Sequence, residues 1–256
     1  MLGSTIVPRL EVYSQKYKHV RFTRRNGILE LRLHTDGNSL IWASLPHEEL
    51  GYCFADVADD PENKVVIITG EGSSFCADID LSSFGEQTPR SWLNIHQEGR
   101  RILNNLLNIE VPVISAVNGR ALVHAELALL SNIVIASEDT TFQDRIHFPS
   151  GAVPGDGAHV VWPTLLGPIR GSRFLLTGQV LDAKEALELG VVNEVVPRAE
   201  LLPRAWAVAE EIAGRPVMAR RYARLLLTHE MKRLMHDQLS YGLVAEGLAL
   251  LDQDPS

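Results

Sequence analysis

The sequence contains little cysteine and no long hydrophobic run, and both absences limit what the protein can be. Its two cysteines, Cys53 and Cys76, belong to no CxxC pair and to no Cys/His cluster spaced for a metal ion. We expect both to be buried thiols of a reducing compartment. The N-terminus has no apolar segment typical of a secretory signal, and no stretch reaches the roughly 18 apolar residues that span a bilayer. The sequence therefore predicts a cytoplasmic protein without membrane contacts.

Basic residues are also scarce, and the chain carries a formal net charge of -8 with a pI of about 5.6. No long block of positive charge is available for a nucleic acid or an anionic membrane, so neither is expected as a partner. The short basic run over residues 215–224 is predicted to be a solvated face or a subunit contact. The hydrophobic content of 45% is enough for one large domain with a buried core.

Strand and helix patterns alternate along the chain, which predicts parallel strand pairing and an α/β fold. Short runs rich in β-branched residues predict strands near Leu29, Val65, Val111, Ile133 and Val191. Apolar residues at helical spacing predict a helix over residues 90–109, and the chain is expected to be helical from residue 201 onward. Residues 1–19 are polar and aperiodic, and they are expected to form a loose arm.

A Gly/Pro-rich stretch, HFPSGAVPGDGAHVVWP over residues 147–163, fits neither a helix nor a strand pattern. It contains ionisable side chains, among them His147 and Asp156. Irregular segments on a rigid scaffold often carry binding and catalytic groups, so these two residues are candidates for a functional site.

Several segments occur in the order that is typical of one enzyme family. They are SFCADIDLSSF, VPVISAVNGRALVHAELALLSNIVIASEDTTF, GAVPGDGAH and FLLTGQVLDAKEALELGVVNEVVP, followed by the helical tail. From about Val20 to the C-terminus the chain thus resembles the crotonase (enoyl-CoA hydratase/isomerase) superfamily. The resemblance implies a spiral core of ββα turns over residues 1–200. It also implies a C-terminal helical region over residues 201–256 that packs trimers, or hexamers made of two trimers.

Two loops depart from the pattern of that superfamily. Most crotonases hold a CoA thioester oxygen between two backbone N–H groups, in loops of the F-C-A-G-A-D and A-L-G-G-G-C-E types. Here the first loop reads F-C-A-D-I-D over residues 75–80, and the second reads A-L-V-H-A-E over residues 121–126 and is one residue shorter. Glycine allows a backbone to approach a ligand most closely, and His124 now stands in the glycine-rich loop. Acyl-CoA is therefore not the expected substrate.

Two further departures concern ionisable groups. His147 stands where hydratases place a catalytic glutamate, and Asp156 adds a carboxylate to the Gly-rich turn. Together with Trp42, His47 and Glu246, they make the chain resemble the 6-oxocamphor hydrolase type of β-diketone hydrolase within the superfamily. This resemblance implies that a (bi)cyclic 1,3-diketone is cleaved with water by a retro-Claisen reaction to a keto acid, without a cofactor or a metal.

Such a reaction needs a base for water, a donor for the developing enolate oxygen and an acid for the carbon. His147 suits the base because imidazole titrates near neutral pH, and Asp156 is predicted to orient it. His124 and the Trp42 indole N–H suit hydrogen bonding to the substrate carbonyl. His47 is a weaker candidate for substrate binding.

The roles of two glutamates and the class of protein remain open at this point. Glu246 suits a proton donor or a second partner for His147, and Glu126 falls near a catalytic glutamate of the superfamily. The alternatives are an acyl-CoA hydratase or isomerase, a crotonase-fold protein that binds without catalysis, and a metal-dependent hydrolase. No pair of histidines has H-x-x-x-H spacing, which disfavours the metal-dependent enzyme.

Overall fold

The computed structural model describes residues 7–252, which form eleven strands and nine α-helices. The strands are β1 (Val20–Arg25), β2 (Ile28–Leu33), β3 (Leu40–Trp42), β4 (Val65–Gly70), β5 (Ser74–Ile79), β6 (Val113–Val117), β7 (Arg120–Ala121), β8 (Ile133–Ser137), β9 (Thr141–Phe142), β10 (Leu181–Asp182) and β11 (Glu194–Val196). The helices are α1 (Leu10–Tyr13), α2 (Ser44–Asp59), α3 (Pro89–Asn108), α4 (Glu126–Leu129), α5 (Ala158–Leu166), α6 (Pro168–Thr177), α7 (Ala183–Glu188), α8 (Arg198–Ala213) and α9 (Val217–Leu251).

The strands form two sheets, and successive strands from β2 to β9 alternate between them. The larger sheet has the order β1-β2-β4-β6-β8-β11, and the smaller sheet has the order β10-β9-β7-β5-β3. Only the β1–β2 and β9–β10 pairs are antiparallel. A helix follows each two-strand step, with α2 after β3, α3 after β5 and α4 after β7. The α/β fold with ββα turns is thus confirmed.

Sequence patterns identify the larger sheet better than the smaller one. All six residues of β4 are buried, which explains its unbroken apolar run, since a parallel strand covered on both faces needs no polar side. The strands β3, β7, β9 and β10 are only two or three residues long, too short to show any alternation. Within the Gly/Pro-rich stretch, α5 begins at Ala158, a helix that the sequence pattern does not indicate.

The prediction of a loose arm over residues 1–19 is wrong for residues 10–19. Tyr13 is completely buried, and its hydroxyl donates a hydrogen bond of 2.9 Å to Asp60 at the end of α2. Further along, two backbone N–H groups donate to the Glu49 carboxylate. Acidic side chains of α2 and its C-terminal end therefore fix residues 10–19 on the core, although these residues have no periodic apolar pattern. Residues 1–6 lie outside the described range.

The basic run over residues 215–224 is only partly a solvated face. The Arg224 side chain is buried, and its guanidinium donates hydrogen bonds to the carbonyls of Leu106, Ile109 and Leu130. These carbonyls lie at the end of α3 and beside α4, so the buried arginine attaches the start of α9 to the core.

The surface of α9 is unusually apolar for a helix on the outside of a chain. More than half of the side chain is exposed at Leu226, Leu227, Tyr241 and Leu248. Self-association as a trimer or hexamer is compatible with this face and stays a prediction. Among the described helices, none has both the length and the apolar character to cross a membrane. Cys53 and Cys76 are buried free thiols, as expected from the sequence.

Candidate active site

Four side chains meet at one edge of the smaller sheet. Trp42 ends β3, Ile79 ends β5, His124 follows β7 and His147 follows β9. Because these four strands are parallel neighbours, their carboxyl ends lie together, where α/β folds usually bind ligands. The fold thus explains why residues separated by a hundred positions in sequence line one site.

Six of the seven candidate residues predicted from the sequence line the same cavity, which has a volume of about 270 Å³. The strand ends supply three of them, α2 supplies His47, the turn before α5 supplies Asp156, and α9 supplies Glu246. The rest of the wall is largely apolar and includes Ile79, Leu81, Phe84, Trp92, Ile146 and Leu243. The cavity therefore combines a polar end with an apolar body, as expected of a pocket for a compact organic molecule.

Close packing of α9 on the Gly-rich turn brings Glu246 into the cavity. A Cβ atom on Gly242 would overlap the carbonyl oxygen of Gly155 and the ring of His159. The His159 ring is itself held at 2.9 Å from the Pro154 carbonyl oxygen. Only a residue without a side chain allows the helix to approach the turn this closely, and Glu246 lies one helical turn further on.

Replacing Gly242 by alanine is expected to lower the free energy of unfolding by about 2 kcal/mol, because the added methyl group has no space. Urea denaturation measures this change. Gly214→Ala is the matched control, since Gly214 has an αR backbone and an added Cβ there would meet only ordinary contacts of 3.5 Å or more. Equal stability of the two variants would contradict the close packing of α9 on the turn.

A single carboxylate lies between the two central histidines. Asp156 Oδ2 is 2.8 Å from His124 Nδ1 and 3.3 Å from His147 Nε2. Burial by itself would raise the pKa of Asp156, but His147 and His124 hold that pKa well below its usual range. The carboxylate is therefore ionised and favours positive charge on His147.

The second ring nitrogen of His147 is occupied by a residue that the sequence does not single out. Asp144 Oδ1 lies 2.6 Å from His147 Nδ1, whereas Asp156, the residue predicted to orient this ring, lies at Nε2. No motif marks Asp144, because it lies three residues before His147 in an irregular segment. Burial alone would lower the pKa of His147, but Asp156 and Asp144 together raise it well above 6.5.

Glu246 faces His147 from the opposite wall. Its Oε1 atom is 3.8 Å from His147 Nε2, and the residue is buried. Burial and the neighbouring charge of Asp156 raise the pKa of Glu246 well above its usual value. A raised pKa favours the protonated form of the glutamic acid, which can serve as a proton donor.

His124 keeps the backbone conformation of a glycine while adding a side chain. Its φ angle is +48°, in the left-handed region that glycine adopts most easily. The ring packs on the Trp42 indole at a centroid distance of 4.2 Å, and the N–H of Val123 donates to the Cys76 carbonyl at 3.2 Å. Side-chain donors thus stand where the superfamily uses backbone donors.

The two remaining candidates have partners of their own. His47 Nδ1 lies 2.8 Å from the Glu98 carboxylate on α3, a partner that sequence reasoning missed. Glu126 does not line the cavity; the Trp162 indole N–H donates to it at 2.9 Å, and burial raises its pKa to about 7. His47 is therefore a fixed part of the cavity wall, whereas Glu126 lies outside it.

Three carboxyl groups around His147 have buried oxygens without a hydrogen-bond partner in the described part of the chain. These four atoms are Asp144 Oδ2, both Oδ1 and Oδ2 of Asp156, and Glu246 Oε2. Buried polar atoms of this kind are costly and are uncommon outside functional sites. Ligand atoms of His147, Asp156 and Glu246 also lie within 4.8 Å of one another, close enough to hold a metal ion.

Two parallel sheets wound as ββα turns, with acid–base groups at the strand ends, define an α/β enzyme. Residues 23–246 match the family described as enoyl-CoA hydratase/isomerase, and the chain belongs to this family, within the crotonase superfamily. The sequence resemblance that implied this superfamily is therefore confirmed.

Individual relatives have different activities. A carnitinyl-CoA dehydratase from Proteus mirabilis is 34% identical over 203 residues, which are 78% of this chain and 76% of that protein. A β-diketone hydrolase from Anabaena sp. PCC 7120, solved with (S)-3-oxocyclohexyl acetic acid bound, is 47% identical with a TM-score of 0.93, covering 94% of this chain and 97% of the other. An enoyl-CoA hydratase/isomerase from Mycobacterium paratuberculosis is 26% identical with a TM-score of 0.85, covering 92% and 94%.

Proposed function

We propose that this chain is a β-diketone hydrolase, which cleaves a C–C bond of a (bi)cyclic 1,3-diketone with water and releases a keto acid. The observation that carries the proposal is the position of Asp156 between His124, in the loop where the superfamily has CoA-binding glycines, and His147, at the position of a hydratase glutamate. The 47% identity to the β-diketone hydrolase of Anabaena supports it. Among the relatives compared above, the CoA enzymes are less similar to this chain.

The first step is the attack of water on one carbonyl carbon. His147 takes a proton from water through Nε2, while Asp144 at Nδ1 stabilises the imidazolium that forms. The hydroxide oxygen bonds to the carbonyl carbon and gives a tetrahedral intermediate. Two carboxylates beside one imidazole make it a strong base, provided that the ring is neutral when substrate binds.

The second step is the cleavage of the C–C bond between the two carbonyl groups. The electron pair of that bond moves to the second carbonyl, which becomes an enolate. Asp156 faces Nδ1 of His124, so Nε2 is the ring nitrogen of His124 that is available to donate to the enolate oxygen. The Trp42 indole N–H, which makes no hydrogen bond to a described residue, is the second donor.

The last step is protonation of the enolate carbon. Glu246 gives its proton to this carbon, since burial and the charge of Asp156 raise its pKa and favour its protonated form. His147, 3.8 Å away and carrying the proton from water, then returns a proton to Glu246. One water is consumed, a carboxylic acid and a ketone are formed, and the side chains regain their starting protonation.

The alternative function is that of an acyl-CoA hydratase or dehydratase. Relatives named carnitinyl-CoA dehydratase, 31–34% identical to this chain, favour it. Against it stand the two loops without glycine and the N–H of Val123, which already donates to Cys76.

A direct comparison of two substrates tests the proposal. The keto acid bound to the Anabaena enzyme has the connectivity that hydrolysis of bicyclo[2.2.2]octane-2,6-dione produces, so this dione is the diketone probe. We expect loss of the dione with release of one acid per turnover, and no hydration of crotonyl-CoA. Hydration or dehydration of an acyl-CoA, with the dione left intact, would establish the alternative instead.

Removal of metal ions is expected to leave dione hydrolysis unchanged, because His147 and Glu246 move all the protons of the proposed reaction. The comparison is between enzyme dialysed against EDTA and the same enzyme with Zn²⁺, Mg²⁺ or Mn²⁺ added back. Loss of turnover on dialysis, restored by one of these ions, would show that His147, Asp156 and Glu246 act as metal ligands.

A further inference from the structure

The Asp144 carboxylate has one hydrogen-bond partner among the described residues, and that partner is His147. Its Oδ1 atom lies 2.6 Å from His147 Nδ1, whereas Oδ2 is buried and makes no hydrogen bond. Aspartate in a loop commonly bonds to nearby backbone N–H groups and so stabilises the turn. Asp144 does not, so its buried charge is compensated mainly by the imidazole ring.

The main chain around His147 is fixed independently of this contact. The His147 carbonyl accepts hydrogen bonds from the N–H groups of Ser150 at 2.8 Å and Ala152 at 3.0 Å. These bonds determine where the backbone of His147 lies but leave its ring free to rotate. Asp144 therefore acts on the orientation and the protonation of the ring.

Titratable groups from four segments of the described chain face the His147 ring. Asp144 comes from the same segment, Asp156 from the turn before α5, and Glu246 from α9. The ring of His124, from the loop after β7, lies at a centroid distance of 6.2 Å. A neutral His147 ring can therefore carry its proton on Nδ1, facing Asp144, or on Nε2, facing Asp156.

The two contacts are unequal, and the difference determines the tautomer. Asp144 lies 2.6 Å from its ring nitrogen, whereas Asp156 lies 3.3 Å from Nε2 and shares the same oxygen with His124 at 2.8 Å. A shorter contact to an unshared carboxylate binds the proton more strongly. The neutral ring therefore carries its proton on Nδ1.

We propose that Asp144 is the positioning residue of this site, which keeps the His147 proton on Nδ1 and leaves Nε2 free to accept the proton of water. The catalytic part of this inference rests on the proposed function, since it assumes that His147 is the base. The assignment of the tautomer does not depend on the reaction. Asp144 touches neither water nor diketone and acts through His147 alone.

Two substitutions separate the charge of Asp144 from its hydrogen bond. Asp144→Asn removes the charge at nearly constant volume, and it is expected to lower the raised pKa of His147, moving the acid limb of the kcat/KM profile to lower pH. Asp144→Leu removes the acceptor, and the neutral ring is then expected to carry its proton on Nε2, facing Asp156. We expect Asp144→Leu to lower kcat by about 10²-fold, with KM changed by less than about threefold.

Nitrogen-15 NMR of the His147 ring measures the tautomer and the pKa without any substrate. Asp36→Asn is the matched control, because Asp36 lies in an exposed turn with a positive φ that asparagine also adopts readily. An unchanged tautomer in Asp144→Leu, or an unchanged His147 pKa in Asp144→Asn, would overturn the positioning role. If the native enzyme fails to hydrolyse diketones, the proposed function is wrong. The NMR measurement, which uses no substrate, still determines whether Asp144 sets the tautomer of His147.

Discussion

Replacing His147 by glutamine is expected to lower kcat for dione hydrolysis by about 10⁴-fold, the range found when a general base is removed from a preorganised site. Among the described residues, His147 is the imidazole that faces three carboxyl groups at once. The other imidazoles in the cavity wall, His47 and His124, face one carboxylate each, Glu98 and Asp156. Steady-state kinetics with the dione measures the loss.

The choice of glutamine matters for the interpretation. Removing one partner of a buried ion pair can destabilise a protein by several kcal/mol, so alanine would combine a loss of folding with a loss of chemistry. The glutamine amide keeps polar atoms between Asp144 and Asp156. His236→Ala, on the exposed side of α9, is the matched control and should retain full activity. A folded His147→Gln variant with turnover within about tenfold of the native enzyme would rule out the base role.

The sequence predicts the members of the site better than their arrangement. His124, His147 and Asp156 are recognisable because they replace residues with known roles in the superfamily, and all line the cavity. Asp144 has no such marker, since its role depends on how an irregular segment of four residues folds back on itself. The resemblance therefore indicates Asp156 as a partner of His147 but not which ring nitrogen it faces, and the structure has Asp156 at Nε2 and Asp144 at Nδ1.

The same limit applies to the fold. The strands of the larger sheet are predictable because burial on both faces leaves a long apolar run, as in β4. The strands that carry the site are two to six residues long, and their order is determined by the spiral and not by local pattern. Trp42 and Glu246 come together only through the approach of α9 to the Gly-rich turn, and the small size of Gly242 gives no periodic signal.

The pH dependence of kcat/KM distinguishes the two roles that the sequence leaves open for Glu246, a proton donor or a second partner of His147. As a proton donor it must be protonated, so kcat/KM should fall as pH rises through its raised pKa. His147 as a base must be neutral, so kcat/KM should also fall as pH decreases through the raised pKa of His147, above 6.5. The pH profile of kcat/KM is thus expected to be bell-shaped. Both of its limbs should lie at higher pH than the ordinary pKa values of a carboxyl group and an imidazole would give.

Replacing Glu246 by glutamine is expected to lower kcat by about 10³-fold and to abolish the alkaline limb of this profile, because the amide cannot donate an acidic proton. In D₂O the native enzyme should place one deuterium on a single face of the new C–H centre, whereas the variant should release the enolate and lose this selectivity. Glu210→Gln, on the exposed face of α8, is the matched control. If the variant instead keeps the alkaline limb and the stereoselectivity while its acid limb moves to lower pH, Glu246 is a charged partner of His147 and not the proton donor.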